Sequence, residues 1–198
     1  MTDEAFITAT RIAAGDDRTR YDAFAIALHW ITALLVVAQF ASAEIWDFFG
    51  KPTHRVLVTT HMSLGIALAA VILVRIAWRL IPGHQVGPAT SGWIEIASKA
   101  VHYLLYALLI AQAALGFALR WSGNEAMRFF GLQIPPPFAP LSRATHHFIG
   151  DVHNWVGWAI IITVAAHAVA ALFHHYVLRD DVLTRMLPRV NRFVLARR

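Results

Sequence analysis

DVHNWVGWAIIITVAAHAVAALFHHYVL, Asp151 to Leu178, carries no Asp, Glu, Lys or Arg after its first residue. It reads as one apolar helix, long enough for a hydrocarbon layer of roughly 30 Å, which takes about 20 residues to cross. Two histidines lie inside it, His153 and His167, 14 residues apart. That spacing is about 21 Å of rise and just under four turns, so both imidazoles leave one face, one near each end of the cylinder. An ionisable side chain at such depth is costly and marks function by default.

The rest of the chain repeats the apolar character. Of its 198 residues 58% are hydrophobic and 15% charged, against about a quarter charged in a soluble domain. The apolar residues gather into four blocks: 22–45, 53–80, 93–121 and 151–178. The expected fold is an all-α membrane protein, a four-helix transmembrane bundle. Residues 21–180 form its single membrane domain, 1–20 a polar N-terminal extension and 181–198 a basic tail. No removable signal peptide precedes the first span. The connection Ser122–Ser142, polar at its start and proline-rich at its end, is expected to lie on the membrane surface as a cap.

Orientation follows from the 17 Lys and Arg residues. Arg11, Arg18 and Arg20, then Arg75, Arg79 and Lys99, then Arg179, Arg185, Arg189, Arg192, Arg197 and Arg198 fall on one side. Lys51, Arg55, Arg120, Arg128 and Arg143 fall on the other. The richer side is cytoplasmic, which places both termini inside. Because the basic residues sit at span ends, the net charge of +5 is topology rather than a nucleic-acid footprint.

There is no cysteine, which excludes disulfides, thiolate-held iron–sulfur clusters, thiol catalysis and the covalent attachment of c-type haem. Eleven histidines become the main candidate ligands. With both termini inside, His29 and His167 share an inner level, and His61 and His153 an outer one. Two pairs at two depths suit two b-type haems, each held by two axial imidazoles on facing helices. Zinc is the rival, but it wants four ligands at one point. Gly65 and Gly157 each follow a histidine by four; they either let a flat macrocycle approach the backbone or serve small-residue helix packing. Arg75, 14 after His61, either pairs with a propionate of the inner haem or snorkels to the headgroups.

His174 lies two turns beyond His167 on nearly the same face. It is the candidate hydrogen-bond and proton donor at the inner end of the bundle, with Lys99 and His102 weaker ones. An outer basic funnel for an anionic donor would need Lys51, Arg55, Arg143, His146 and His147 to cluster around the outer haem.

Four segments resemble the bacterial cytochrome b561 family: IALHW (26–30), THMSLGI (60–66), HYLLYALLIAQAALG (102–116) and VHNWVGWAIIITVAAHAVAALFHHYVLRDD (152–181). The resemblance covers about residues 20–190. It implies two haem b groups on His29, His61, His153 and His167, quinone reduction and a multi-pass place in the bacterial inner membrane. Superoxide oxidase belongs to this group, and b subunits of hydrogenases are related to it. The expected activity is therefore oxidation of periplasmic superoxide and reduction of ubiquinone, and the resemblance also points to His174 as quinone-contacting. The alternative is a haem b subunit carrying electrons from a periplasmic dehydrogenase or hydrogenase to the quinone pool. Short outer loops offer little surface for such a partner.

Overall fold

The computed structural model describes residues 20–188. The remainder of the N-terminal extension and Arg189, Arg192, Arg197 and Arg198 of the basic tail lie outside the described residues. Four helices are long and apolar enough to cross a membrane. They are α1 (Ala23–Ile45), α2 (Lys51–Leu80), α3 (Gly92–Ser122) and α4 (Arg143–Phe173). A five-residue π turn (His174–Leu178) continues α4, and short 3-10 turns cover Trp46–Phe48 and Thr184–Met186.

The helix starts have local causes. Asp22 caps α1 by accepting the Ala25 N–H at 2.8 Å. Its carboxylate also accepts the Trp78 indole N–H at 3.0 Å and contacts His84 Nδ1 at 3.2 Å. The Gly50-Lys51-Pro52 break is also the start of α2: Pro52 sits in the first turn, where its missing N–H costs nothing. The last helix starts at Arg143 rather than Asp151, because the Ser142 hydroxyl accepts the Thr145 N–H at 3.1 Å. His146 and His147 are thus helical.

The connection after α3 is an ordered hairpin. β1 (Met127–Phe129) pairs antiparallel with β2 (Leu132–Ile134). Phe130 and Gly131 turn between them with φ of 44° and 98°, the double positive φ of a tight hairpin turn. The hairpin packs on α2. Ser63 joins the two, its Oγ accepting the Phe130 N–H at 3.0 Å. Met127 is buried beneath it.

The core is one cluster to which every spanning helix contributes: Val36, Leu68, Ile72, Leu109 and Ile160. Val36 is seven residues after His29, Leu68 seven after His61, and Ile160 midway between His153 and His167. The apolar layer therefore lies two turns from each histidine, a septum between the two levels. Outside it, large apolar side chains face outward, Leu34 71% and Leu73 63% exposed. So much exposed apolar surface is untenable in water and ordinary for helices solvated by lipid.

Candidate functional site

At the outer level the His61 and His153 ring centroids are 6.5 Å apart, the planes at 73°. His61 Nδ1 lies 3.1 Å from the Gln39 carbonyl oxygen and 3.1 Å from Ser42 Oγ. The carbonyl can only accept, so Nδ1 carries the proton and Nε2 is left bare. A backbone partner that fixes the tautomer in this way is the usual support of a metal-binding imidazole. His153 lies against the Gln112 amide at 3.2 Å. His153 Nδ1, Gln112 Oε1 and Gln39 Oε1 are buried polar atoms without partners.

These groups line a cavity of about 790 Å³ reaching from His61 and His153 to the outer surface, within the usual range of ligand pockets. Gly65 and Gly157 are in its wall. A Cβ built on Gly65 would meet only Gln39 side-chain atoms, with Nε2 at 2.7 Å; one on Gly157 would meet Gln112 Nε2 at 3.4 Å. Neither glycine touches a neighbouring backbone. They open the cavity rather than seat one helix on another.

At the inner level His29 and His167 face each other at 6.4 Å and 70°. His102 is also present, 5.2 Å from His167. Arg75 Nη2 donates to His29 Nδ1 at 3.0 Å, and its guanidinium lies 5.6 Å from the Tyr106 ring centre. An imidazole bound to metal through Nε2 keeps its proton on Nδ1, and two donors cannot share that contact. Metal on His29 therefore releases Arg75 to another acceptor, such as a carboxylate of the bound group.

Distance tests the fit of an axially ligated macrocycle. Two imidazoles on one iron, with metal–nitrogen bonds of about 2 Å, put their ring centres about 6.3 Å apart. The pairs at 6.4 and 6.5 Å match, whereas the 5.2 Å of His102–His167 is too short. Among the described residues no three His, Asp or Glu side chains converge to hold a metal ion. Donors that come in twos suit iron that brings four nitrogens of its own. The residues present fit haem at both levels.

Where α4 gives way to the π turn, His174 Nδ1 meets Asp180 Oδ2 at 2.5 Å. Arg179 takes a left-handed conformation, φ 56°, which turns the chain back so that the carboxylate reaches the ring. π turns recur at functional positions. Lys99, one of the weaker candidates, is held by Glu95 at 2.5 Å on the exposed side of α3.

The outer basic funnel does not form. Of Lys51, Arg55, Arg143, His146 and His147, only His146 lines the cavity, tied to Ser122 Oγ at 2.8 Å. The cavity wall carries Glu44, Asp47 and Glu125 against one guanidinium, Arg120, which is itself paired with Glu125. Lys51, Arg55 and Arg143 lie in the first turns of α2 and α4, exposed and outside the cavity lining. Sequence reasoning also missed Gln39, Ser42 and Asp180. The two glutamines had a visible signal, an amide inside each of two apolar spans.

Sequence comparison agrees with this geometry. The model of the prokaryotic cytochrome b561 family matches residues 20–189. Cytochrome b561 homolog 1 of Escherichia coli K12 is 34% identical over 179 residues, 86% of this chain and 98% of that protein. Cytochrome b561 homolog 2 of the same organism is 30% identical over 175 residues, 85% of this chain and 91% of that protein. A protein of Yersinia pestis named "Probable superoxide oxidase CybB" is 29% identical over 177 residues, 86% and 97% of the two chains. The chain is a membrane electron-transfer protein built on a four-helix bundle, and it belongs to the prokaryotic cytochrome b561 family. That family implies haem b and a multi-pass position in the bacterial inner membrane.

Proposed function

We propose that the protein takes electrons one at a time at the outer level and delivers them in pairs to ubiquinone at the inner level, with superoxide as the donor. The observation that carries this reading is the stack of two facing histidine pairs, 6.5 and 6.4 Å, along one bundle. His61 and His153 hold one haem b, His29 and His167 the other. Haem held by these histidines would supply a one-electron iron couple, and histidine ligation would favour electron transfer over oxygen binding.

The chain's own residues do the rest. The Gln39 carbonyl fixes the tautomer of His61, Gly65 and Gly157 open the cavity, and the septum of Val36, Leu68, Ile72, Leu109 and Ile160 keeps the two levels apart and dry. Arg75 neutralises a carboxylate beside His29. His174 donates a hydrogen bond and a proton to a quinone carbonyl at the inner boundary. Overall, two superoxide anions each lose one electron and leave as dioxygen, and one ubiquinone takes both electrons and two protons. The positive-inside count supports the inner level being cytoplasmic.

One observation favours a second reading, a periplasmic donor protein with a basic face: the carboxylates of Glu44, Asp47 and Glu125 around the cavity would attract such a donor and repel an anion. The deciding experiment supplies enzymatically generated superoxide to the purified, haem-loaded protein and follows ubiquinol. Ubiquinol formed by the protein alone, and abolished by superoxide dismutase, supports the first reading; no ubiquinol above the protein-free control refutes it. A reduced-minus-oxidised spectrum without b-type bands would remove both readings.

A further inference from the structure

We propose that Asp180 is the positioning residue of the quinone site: it holds His174 in the one tautomer that presents Nε2 to the substrate and stabilises the ring when it carries a second proton. This rests on the reading of His174 as the quinone's proton donor.

The geometry is specific. Asp180 Oδ2 lies 2.5 Å from His174 Nδ1. A carboxylate only accepts, so Nδ1 keeps its proton and Nε2 is the nitrogen left for a ligand. The other oxygen, Oδ1, accepts the Val182 N–H at 3.1 Å, which fixes the carboxylate against its own backbone. The π turn, closed by the Asp180 N–H on the His174 carbonyl at 3.2 Å, brings the two side chains together.

The segment beyond is anchored across the inner end of the bundle. Arg20 donates to the Thr184 carbonyl at 2.5 Å, the Trp30 indole to the Met186 carbonyl at 2.8 Å, and Arg185 to the Gly87 carbonyl at 2.9 Å. Trp30 adjoins His29. The carboxylate is therefore fixed relative to the inner histidine pair as well as to His174.

The chemistry follows from the pairing. With two electrons delivered, the quinone needs two protons, one on each carbonyl oxygen. His174, doubly protonated, breaks its Nε2–H bond as the O–H bond forms, and its charge is cancelled by Asp180 until that moment. The neutral ring keeps Nδ1–H on Asp180 and is reprotonated at Nε2 from cytoplasmic water, and the second proton reaches the other carbonyl oxygen from that water directly. Burial opposes the charge on Asp180, but the His174 and Val182 hydrogen bonds and the His174 and Arg185 charges hold it below the usual carboxylate range. It is anionic at neutral pH.

The test mixes the dithionite-reduced, haem-loaded protein with ubiquinone-1 in a stopped-flow instrument. It reads the maximal rate of reoxidation and the half-saturating quinone concentration, with haem per chain as the control for folding. Asp180→Asn keeps an acceptor for Val182 and loses the charge. The maximal rate should fall about tenfold or more with half-saturation within about twofold, and Asp180→Glu should recover most of the loss. A maximal rate for Asp180→Asn within about twofold of native overturns the proposal, as does raised half-saturation at an unchanged maximal rate, the mark of a merely structural turn. His174→Gln separates the two levels of the argument. If it also reoxidises at the native rate, the quinone reading itself has failed; if it is slow while Asp180→Asn is not, only the role of Asp180 has.

Discussion

Substituting the four paired histidines by alanine, singly and in pairs, should give a pattern that only this geometry produces. The two rings of each level meet across about one iron's width, so losing either ring should empty that level. The levels are separated by the Val36, Leu68, Ile72, Leu109 and Ile160 layer and by about 21 Å along α4. Sites so far apart with no shared partner are additive within about 0.5 kcal/mol. His61→Ala and His153→Ala should therefore each lower haem from two per chain to one, and the double variant should still hold one. His29→Ala with His61→Ala should hold none. A group bound a thousandfold above its dissociation constant adds about 4 kcal/mol to stability, and that is lost once, not twice, within a pair. His102→Ala should keep both haems, since 5.2 Å leaves no room for iron between His102 and His167. Haem is counted by the pyridine haemochromogen assay against protein concentration. A His61→Ala/His153→Ala variant with no haem, or a His61→Ala/His167→Ala variant that retains one, would refute the pairing.

Gly65→Ala needs only the end of the Gln39 side chain to move from 2.7 Å, a rotamer adjustment of about 1 kcal/mol; Gly65→Phe fills the cavity and should remove the outer haem alone, visible as half the reduced b-band. Ser63→Ala removes the acceptor for the Phe130 N–H at a cost of about 1–3 kcal/mol, so amide exchange in the hairpin should rise while the four helices stay protected. For Asp22, burial opposes its charge, but bonds from Ala25, Trp78 and His84 outweigh it and leave its pKa below the usual 3.8. A carboxylate with a depressed folded pKa contributes stability that is fully present above the unfolded value and lost as pH falls through the folded one. Protection at the start of α1, with exchange corrected for the intrinsic rate at each pH, should therefore be flat near neutrality and fall below about pH 4, and Asp22→Ala should show the lowered protection at every pH, a cap loss of about 0.5–2 kcal/mol.

The spans were legible because a bilayer writes the same demand on every crossing segment, some twenty apolar residues. The histidine pairs were legible because His153 and His167 share one helix face and so serve as a ruler for His29 and His61. Harder to read was anything set by a few hydrogen bonds. Ser142 moves the start of α4 upstream with one hydroxyl, and a hairpin of three-residue strands is too short for a period-two pattern to declare itself. Asp180 looks like an ordinary polar residue at the end of the last span until the π turn and left-handed Arg179 fold it back on His174. Formal charge left the outer cavity undecided, because a count of lysines and arginines does not say which way they face.

The vertical offset of the two histidine levels sets an energetic condition on turnover. About 21 Å of a layer of roughly 30 Å is about seven-tenths of the membrane's electrical thickness. In the proposed function, which puts the His29–His167 level on the cytoplasmic side, each electron moves inward against a potential that is negative inside. The work is about 1.6 kcal/mol per electron for every 100 mV, taking about 2.3 kcal/mol for a full crossing. Turnover by the proposed route is electrogenic: an energised cell would oppose each quinol made, and a collapsed membrane voltage should speed it.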